Sequence, residues 1–385
     1  MAKVRIGVVG LGNMGMSHAA KIADGLVAGA ELAAVCDKNA NRLKLAEDKW
    51  GAIAKYTDVD EMYRSGKIDG VIIATPHYDH PELSIKAFHA GLHVLVEKPA
   101  GVYTKQVRKM NEEAERSGLV FGIMFNQRTN PLYLKLRELV QSGELGEIKR
   151  TVWIIDWYRS QSYYDSAGWR ATWAGEGGGV LINQDPHQLD LWQWTLGMMP
   201  VKLRAFCHIG KYHDIEVEDD VTAYVEFPNG ATGLFVTSTG QAPGTNRLEV
   251  SADRGKVVIE DGKLVFWRNR IPERQFNREY KGGFGQPECW KCEIPITGKE
   301  TGHVGIMNNW VDAILNGAEL LAPGVEGIHS LTLSNAMYLS AWTDDWVHLP
   351  LDEDLFYQLL REKIARSSYR KQEGEDRILD VSGSH

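Results

Sequence analysis

The chain has 385 residues, enough for two domains and a sizeable core. Hydrophobic residues at 43% and charged residues at 24% are ordinary globular values, and a net charge of −8 leaves no basic footprint for nucleic acid. No apolar run reaches the roughly 18 residues of a membrane span. Met1-Ala2-Lys3 leads straight into a strand without a signal peptide, so a cytoplasmic protein is expected. Four cysteines (Cys36, Cys207, Cys289, Cys292) without a paired pattern fit a reducing compartment. The Cys289–Cys292 spacing lacks a second ligand pair, and no metal is expected.

Val4 to Val9 is nearly all apolar, as a strand buried on both faces requires. It ends in Gly10-Leu11-Gly12-Asn13-Met14-Gly15, and a helical pattern follows to about Val27. Strand, glycine turn and helix in this order make a phosphate cradle: free amides at the helix start hold a pyrophosphate, and the glycines permit close approach. A second strand, Glu31 to Cys36, ends at Asp37, placed about 20 residues after the glycines to bond ribose hydroxyls. A carboxylate there repels a 2′-phosphate, so NAD is expected over NADP; Lys38 and Arg42 soften that preference.

Further strands read at Val71 to Thr75, Leu92 to Val96 and Val120 to Phe125. Ligands in such sheets bind at the carboxyl ends of the strands, where Gly10, Gly12, Gly15, Asp37, Thr75, Pro76, Glu97, Lys98 and Asn126 fall. Asn13, Met14, Arg42 and His80 complete the expected dinucleotide set. Residues 1–126 are read as an NAD-binding Rossmann domain, and 127–385 as a substrate-binding and oligomerisation domain.

The second part opens with a helix from about Leu132, a turn at Gly143 to Gly146 and a strand from Ile148 to Asp156. Trp157 to Trp173 is crowded with aromatics and arginines and reads as a loop. Flat faces and forked donors suit a polyhydroxylated ring, so Trp157, Arg159, Tyr163, Tyr164, Trp169 and Arg170 are candidate substrate contacts, as is Arg128. Gly177-Gly178-Gly179 lets the backbone approach something large and precedes a helix. On that helix Asn183, His187, Asp190 and Trp194 share one face, the floor of a polar pocket. Strands follow at Val201 to Ile209, Asp220 to Phe227, Ala231 to Ser238, Arg247 to Ala252, Lys256 to Glu260 and Lys263 to Trp267. The acidic run Glu216 to Asp220 reads as a solvated turn, His213 as polar surface, and Arg268 to Pro287 as irregular. Three helices close the chain near Val304 to Asn316, Glu326 to Trp342 and Leu355 to Ser367, before a polar tail from Gln372.

Taken together, these pieces resemble the Gfo/Idh/MocA oxidoreductases. The resemblance rests on the glycine turn, Ala74-Thr75-Pro76, Glu97-Lys98-Pro99, Asn126-Gln-Arg128-Thr-Asn-Pro131, Gly143-Glu-Leu-Gly146-Glu-Ile148, and the triple glycine leading to His187. It implies an α/β chain: a Rossmann domain followed by an α/β domain on a large, open, mostly antiparallel sheet that mediates dimers or tetramers. It also implies hydride transfer between NAD(P) and a sugar or cyclitol carbon, with Lys98 and His187 acting at the substrate hydroxyl. Many members carry an aspartate where this chain has Asn183, and an asparagine where it has His77. An amide orients a hydroxyl but takes no proton at neutral pH, so acid–base work falls on His187, assisted by Lys98. The alternative is NAD-assisted glycoside cleavage through a 3-keto intermediate, with Tyr163, Tyr164 and His213 as loose candidates for its second base. A non-catalytic sugar and dinucleotide sensor is the third reading.

Overall fold

The computed structural model describes residues 3–367. The first sheet has six parallel strands: β1 (Val4–Val9), β2 (Ala30–Cys36), β3 (Ala54–Tyr56), β4 (Gly70–Ile73), β5 (His93–Val96) and β6 (Phe121–Ile123). Their order, β3-β2-β1-β4-β5-β6, reverses direction between β1 and β4, and that switch opens a crevice beyond the strand ends. β4 and the inner residues of β1 and β5 are fully enclosed because helices cover both faces, which explains their unbroken apolar character. β3 is too short and polar to carry a strand signal of its own; it exists by pairing with β2.

The second sheet has nine strands: β7 (Ile148–Asp156), β8 (Lys202–Ile209), β9 (Glu218–Glu226), β10 (Thr232–Ser238), β11 (Asn246–Ala252), β12 (Gly255–Glu260), β13 (Lys263–Asn269), β14 (Cys289–Glu293) and β15 (Val347–His348). Their order is β14-β13-β12-β11-β7-β10-β9-β8-β15, antiparallel except for the β7–β10 pair. Alternation is strict on the inner strands: Thr151, Trp153 and Ile155 are buried while Val152 and Ile154 between them are not. One face packs under the helices Pro131–Gln141, Pro186–Leu196 and Gly327–Thr343. Residues of the opposite face, including Phe206, Leu234 and Trp267, keep more than a third of their surface exposed.

Several expectations change here. The acidic run is no solvated turn: Glu218 and Asp219 are completely buried. Glu218 accepts from the Gly179 and Leu181 amides and the Tyr338 hydroxyl, and burial pushes its carboxyl up to about 7. Asp219 accepts from the amides of Lys211, Tyr212 and His213. His213 is no surface residue either, since its ring sits between Asp219 and the Arg159 carbonyl. The stretch read as irregular holds a helix, Glu273–Glu279, and precedes β14, which carries Cys289 and Cys292 as free thiols. The helix Gly302–Asn316 leaves the second part of the chain and packs in the first core through Ile306, Met307, Trp310 and Val311. The tail from Gln372 lies outside the described residues.

Candidate active site

A cleft of about 1080 Å³ runs from the glycine turn across the strand ends of the first sheet to the aromatic segment after β7. Gly10, Gly12, Asn13, Met14, Asp37, Arg42, Thr75, Pro76, His80, Glu97, Lys98 and Asn126 all line it. At its other end stand Trp157, Arg159, Tyr163, Trp169, Arg170, Asn183 and His187. The chain thus brings the strand-end residues and most of the aromatic segment to one continuous cavity.

The dinucleotide half fits its expected guest. Gly10 has φ of +86°, and a Cβ there would meet the Ala74 carbonyl oxygen at 2.6 Å, so the turn depends on glycine. A Cβ at Gly12 would meet nothing within 4 Å: its open side faces the cleft, a cradle rather than a packing contact. Gly15 does not line the cavity; a Cβ would strike the Gly10 carbonyl oxygen at 1.7 Å, so it serves the closeness of helix and turn. Asp37 accepts from the Leu11 amide through one oxygen and the Asn39 amide through the other, both at 2.7 Å. Its carboxylate is fixed at the end of β2 with lone pairs to spare for hydroxyls. Thr75 Oγ1 and Asn126 Oδ1 are buried and unpartnered within the described residues, as atoms reserved for a polar guest would be. His80 is different: its ring nitrogens lie 2.7 Å from the Pro99 carbonyl and 2.8 Å from the Thr75 carbonyl. It ties two loops together and has no nitrogen left for a cofactor.

Glu97 and Lys98 leave the end of β5 in opposite directions. Glu97 is buried against His18, 2.5 Å away, and that contact, with His303 and Lys98 nearby, brings its carboxyl down to about 2 despite burial. Lys98 turns into the cleft and donates from Nζ to the Asn183 carbonyl at 2.9 Å. Burial lowers its pKa, opposed by the charges of Glu97 and Glu176. His187 is enclosed, with its ring edge-on to Phe125, and burial plus the Lys98 charge hold its pKa well below 6.5. A neutral imidazole beside an ammonium is the pairing that proton removal from a hydroxyl needs.

The single helical face does not form. Val180–Asn183 makes one turn, Gln184 and Asp185 break it before Pro186, and a second helix runs Pro186–Leu196. Asn183 and His187 still reach the cleft, while Asp190 and Trp194 do not. Asp190 is buried against Arg128, which donates to it from Nε at 2.7 Å and Nη2 at 2.6 Å. Arg128 also binds Glu326 at 2.5 Å and the Leu321 carbonyl at 3.0 Å, between the rings of Phe125 and Trp194. Arg128 is therefore a structural residue, not a substrate contact. Tyr164 is another correction: it is 1% exposed and its hydroxyl donates to Thr239. The three glycines face protein rather than ligand, since a Cβ would strike Val102 at Gly177, the Tyr338 hydroxyl at Gly178 and the Glu218 carbonyl at Gly179.

Three residues, His18, His303 and Glu176, escaped the sequence reading, and a fourth, Asp185, has a structural role behind the cleft. His18 and His303 meet at a tilt, ring centres 5.4 Å apart, beside Glu97, and His303 lines the cavity from the returning helix. Nothing in the sequence connects residue 303 with a site built near residue 97. Glu176 is buried beside Asn183. Asp185 accepts from Trp157 Nε1 at 2.9 Å, anchoring a cleft-lining ring, and burial raises its carboxyl to about 8.

Comparison with known proteins identifies the family. Residues 4–125 match the oxidoreductase family with an NAD-binding Rossmann fold, and residues 133–258 match the GFO/IDH/MocA C-terminal domain. Both halves point to one family across more than half of the chain, and the chain belongs to the GFO/IDH/MocA oxidoreductases. It is 32% identical to the rhizopine catabolism protein MocA of Rhizobium meliloti over 53% of this chain and 61% of that one, less than two thirds of that relative's length. It is 27% identical to the myo-inositol 2-dehydrogenase of Thermotoga maritima, over 67% of this chain and 75% of that one. Among solved structures, the WlbA dehydrogenase from Bordetella pertussis in complex with NADH and UDP-GlcNAcA is similar at a TM-score of 0.77 and 26% identity, covering 91% of this chain and 100% of that one. No helix among the described residues is long and apolar enough to cross a membrane, and no group of three or more histidine, cysteine or acidic side chains among them could hold a metal.

Proposed function

We propose that this protein oxidises a secondary alcohol of a sugar, sugar derivative or cyclitol, reversibly, with NAD as the redox partner. The observation that carries the proposal is the meeting of Lys98 and His187, from separate domains, at the junction of the dinucleotide crevice and the aromatic pocket. NAD, when bound, supplies the hydride acceptor that no side chain can provide. Gly10 to Met14 and Asp37 hold it, with Thr75 and Asn126 offering polar atoms along its length. His187 takes the hydroxyl proton as general base, kept neutral by burial. Lys98 stays charged beside the same oxygen and stabilises the negative charge that develops there. Trp157, Tyr163 and Trp169 offer faces to the C–H side of a ring, and Arg159 and Arg170 offer donors to its oxygens.

The inositol in one relative's name and the UDP-GlcNAcA bound in one similar structure support a polyhydroxylated ring as the class. The open sheet face supports a homo-oligomer, dimer or tetramer, and a cytoplasmic location belongs to the same proposal. Glycoside cleavage has less support: of Tyr163, Tyr164 and His213, only Tyr163 reaches the cleft. Its hydroxyl already receives donors from Arg170, Asn183 and Gln184.

The test is absorbance of NADH while the purified protein and NAD meet cyclitols, free sugars, sugar acids and glycosides. NADH growing with one polyol is the expected outcome. Aglycone release without NADH would transfer the assignment to elimination, and silence with every compound would remove it.

A further inference from the structure

Position 183 carries an amide, and a carboxyl group stands beside it. Glu176 is completely buried, seven residues earlier, and the chain turns back through the three glycines to bring its side chain against Asn183. Asn183 Nδ2 donates to Glu176 Oε1 and, at 3.1 Å, to the Tyr163 hydroxyl. Both amide hydrogens are thereby used. A carboxylate only accepts, so the nitrogen end of the amide must be the end that faces Glu176. Oδ1 is turned the other way, and among the described residues no donor reaches it, while Asn183 itself lines the cleft. Glu176 is held in turn: its Oε2 accepts from the Ala171 amide at 2.6 Å, and Arg170 Nη1 lies 3.6 Å from Oε1.

We propose that Glu176 is a positioning residue for the oxidation described above, locking the Asn183 amide so that Oδ1 faces the substrate as a fixed hydrogen-bond acceptor. The pair keeps a carboxyl at the site but sets it a side chain deeper, off the lining of the cleft. A substrate hydroxyl therefore meets an acceptor that cannot take its proton, and proton removal is left to His187. The proposal rests on the dehydrogenase reading for its catalytic part and on geometry alone for the pairing.

The pairing has a consequence for substitution. Replacing Asn183 by Asp sets two carboxyls in contact, and like charges so close must share a proton. The charged and titratable groups around the pair include Arg170, Lys98, Tyr163 and Tyr164, with His77 Nδ1 lying 3.0 Å from the Glu176 carbonyl. Arg170 is already in contact with Glu176, and Lys98 is already bonded to the Asn183 carbonyl, so a second carboxyl at the contact brings no cation of its own. Replacing Glu176 by Gln as well returns a donor to the contact, because the Gln amide can give a hydrogen to the new carboxylate.

The experiment compares Asn183→Asp, Glu176→Gln and the double variant with the parent protein, by thermal midpoint and by turnover, from about pH 5 to about pH 9. A carboxyl whose folded pKa is raised contributes stability at low pH and loses it as pH rises through the raised value. Asn183→Asp is therefore expected to fall behind the parent in thermal midpoint as pH rises. Its turnover is expected to drop about tenfold or more on the alkaline side, the scale of one lost hydrogen bond to a charged group. Glu176→Gln alone frees the amide to flip and is expected to lose about tenfold in kcat/KM without that pH dependence. The double variant is expected to track the parent's midpoint across pH and to return to within about threefold of its turnover. An Asn183→Asp variant with the parent's pH profile, or a double variant with the profile of Asn183→Asp, overturns the proposal. If Asn183→Asp does not fold, recovery of folding in the double variant supports the pairing, and its absence overturns it. The thermal readout needs no substrate, so failure of the parent to oxidise any polyol removes the dehydrogenase reading without deciding the pairing.

Discussion

Two polar clusters lie along one stretch of chain, and they differ in how completely they are satisfied. At Asp190, Arg128 spends its guanidinium on Asp190, Glu326 and the Leu321 carbonyl, sealed between aromatic rings. At Asn183 and His187 the neighbourhood keeps buried atoms without partners: His187 Nδ1, Gln184 Oε1, Asn126 Oδ1 and Thr75 Oγ1. Both clusters contain charge in a dry interior, so residue type does not separate them. What separates them is unspent hydrogen-bonding capacity. A closed network stabilises a fold, and an open one waits for a ligand.

The contrast is broken most severely at the open cluster. Lys98→Met or His187→Ala is expected to cut turnover at least ~100-fold, the usual scale for removing a general base or its partner. The thermal midpoint should stay close to the parent's, because His187 Nδ1 is unpartnered among the described residues and Lys98 closes a single hydrogen bond, to the Asn183 carbonyl. Near-normal rates in both variants would end the assignment of these residues.

At the closed cluster the expected effect is on stability. Arg128→Met leaves Asp190 buried and unpaired, which costs about 3–5 kcal/mol. Denaturant unfolding should show that loss, while kcat per folded molecule changes little. Adding Asp190→Leu should recover part of the stability, since it removes the stranded charge. A large kcat effect with unchanged stability would mean that Arg128 contacts substrate after all.

The smallest effect is a displaced pH profile. His187 sits below 6.5 because burial and Lys98 disfavour its charged form, and Lys98 sits below 10.5 because of burial. The base is active when deprotonated, so activity is lost only as pH falls through the depressed His187 value. The ammonium is needed charged, so activity is lost as pH rises through the depressed Lys98 value. Both limbs of kcat/KM against pH should therefore lie on the acid side of the free-residue values. Should Lys98→Met retain measurable activity, its acid limb should move upward, because a repelling charge has left His187.

The dinucleotide half was legible because its determinants are local. Strand, glycine turn, helix and Asp37 are contiguous, and Gly10 announces itself through a backbone conformation that few other residues tolerate. The substrate half was legible only in part. Trp157, Arg159, Tyr163, Trp169 and Arg170 could be listed as a polar, aromatic segment, yet Tyr164 within it turned into the core. Helical periodicity put Asn183 and Asp190 on one face, but Pro186 starts a new helix and the register is lost.

By itself, the sequence determined the family and the strand, glycine turn, helix and Asp37 of the cofactor crevice; the joint role of Lys98 and His187 came with the family resemblance. Those follow from backbone requirements and short motifs, which a linear reading can see. Only the tertiary structure decided which charges are sealed and which are open, and that His303 returns to the site from a helix nearly two hundred residues beyond the first domain's last strand. The same is true of Glu176, which stands behind Asn183 to set its orientation. Hydrogen-bond satisfaction is a property of neighbours in space, and spacing along a chain does not encode it.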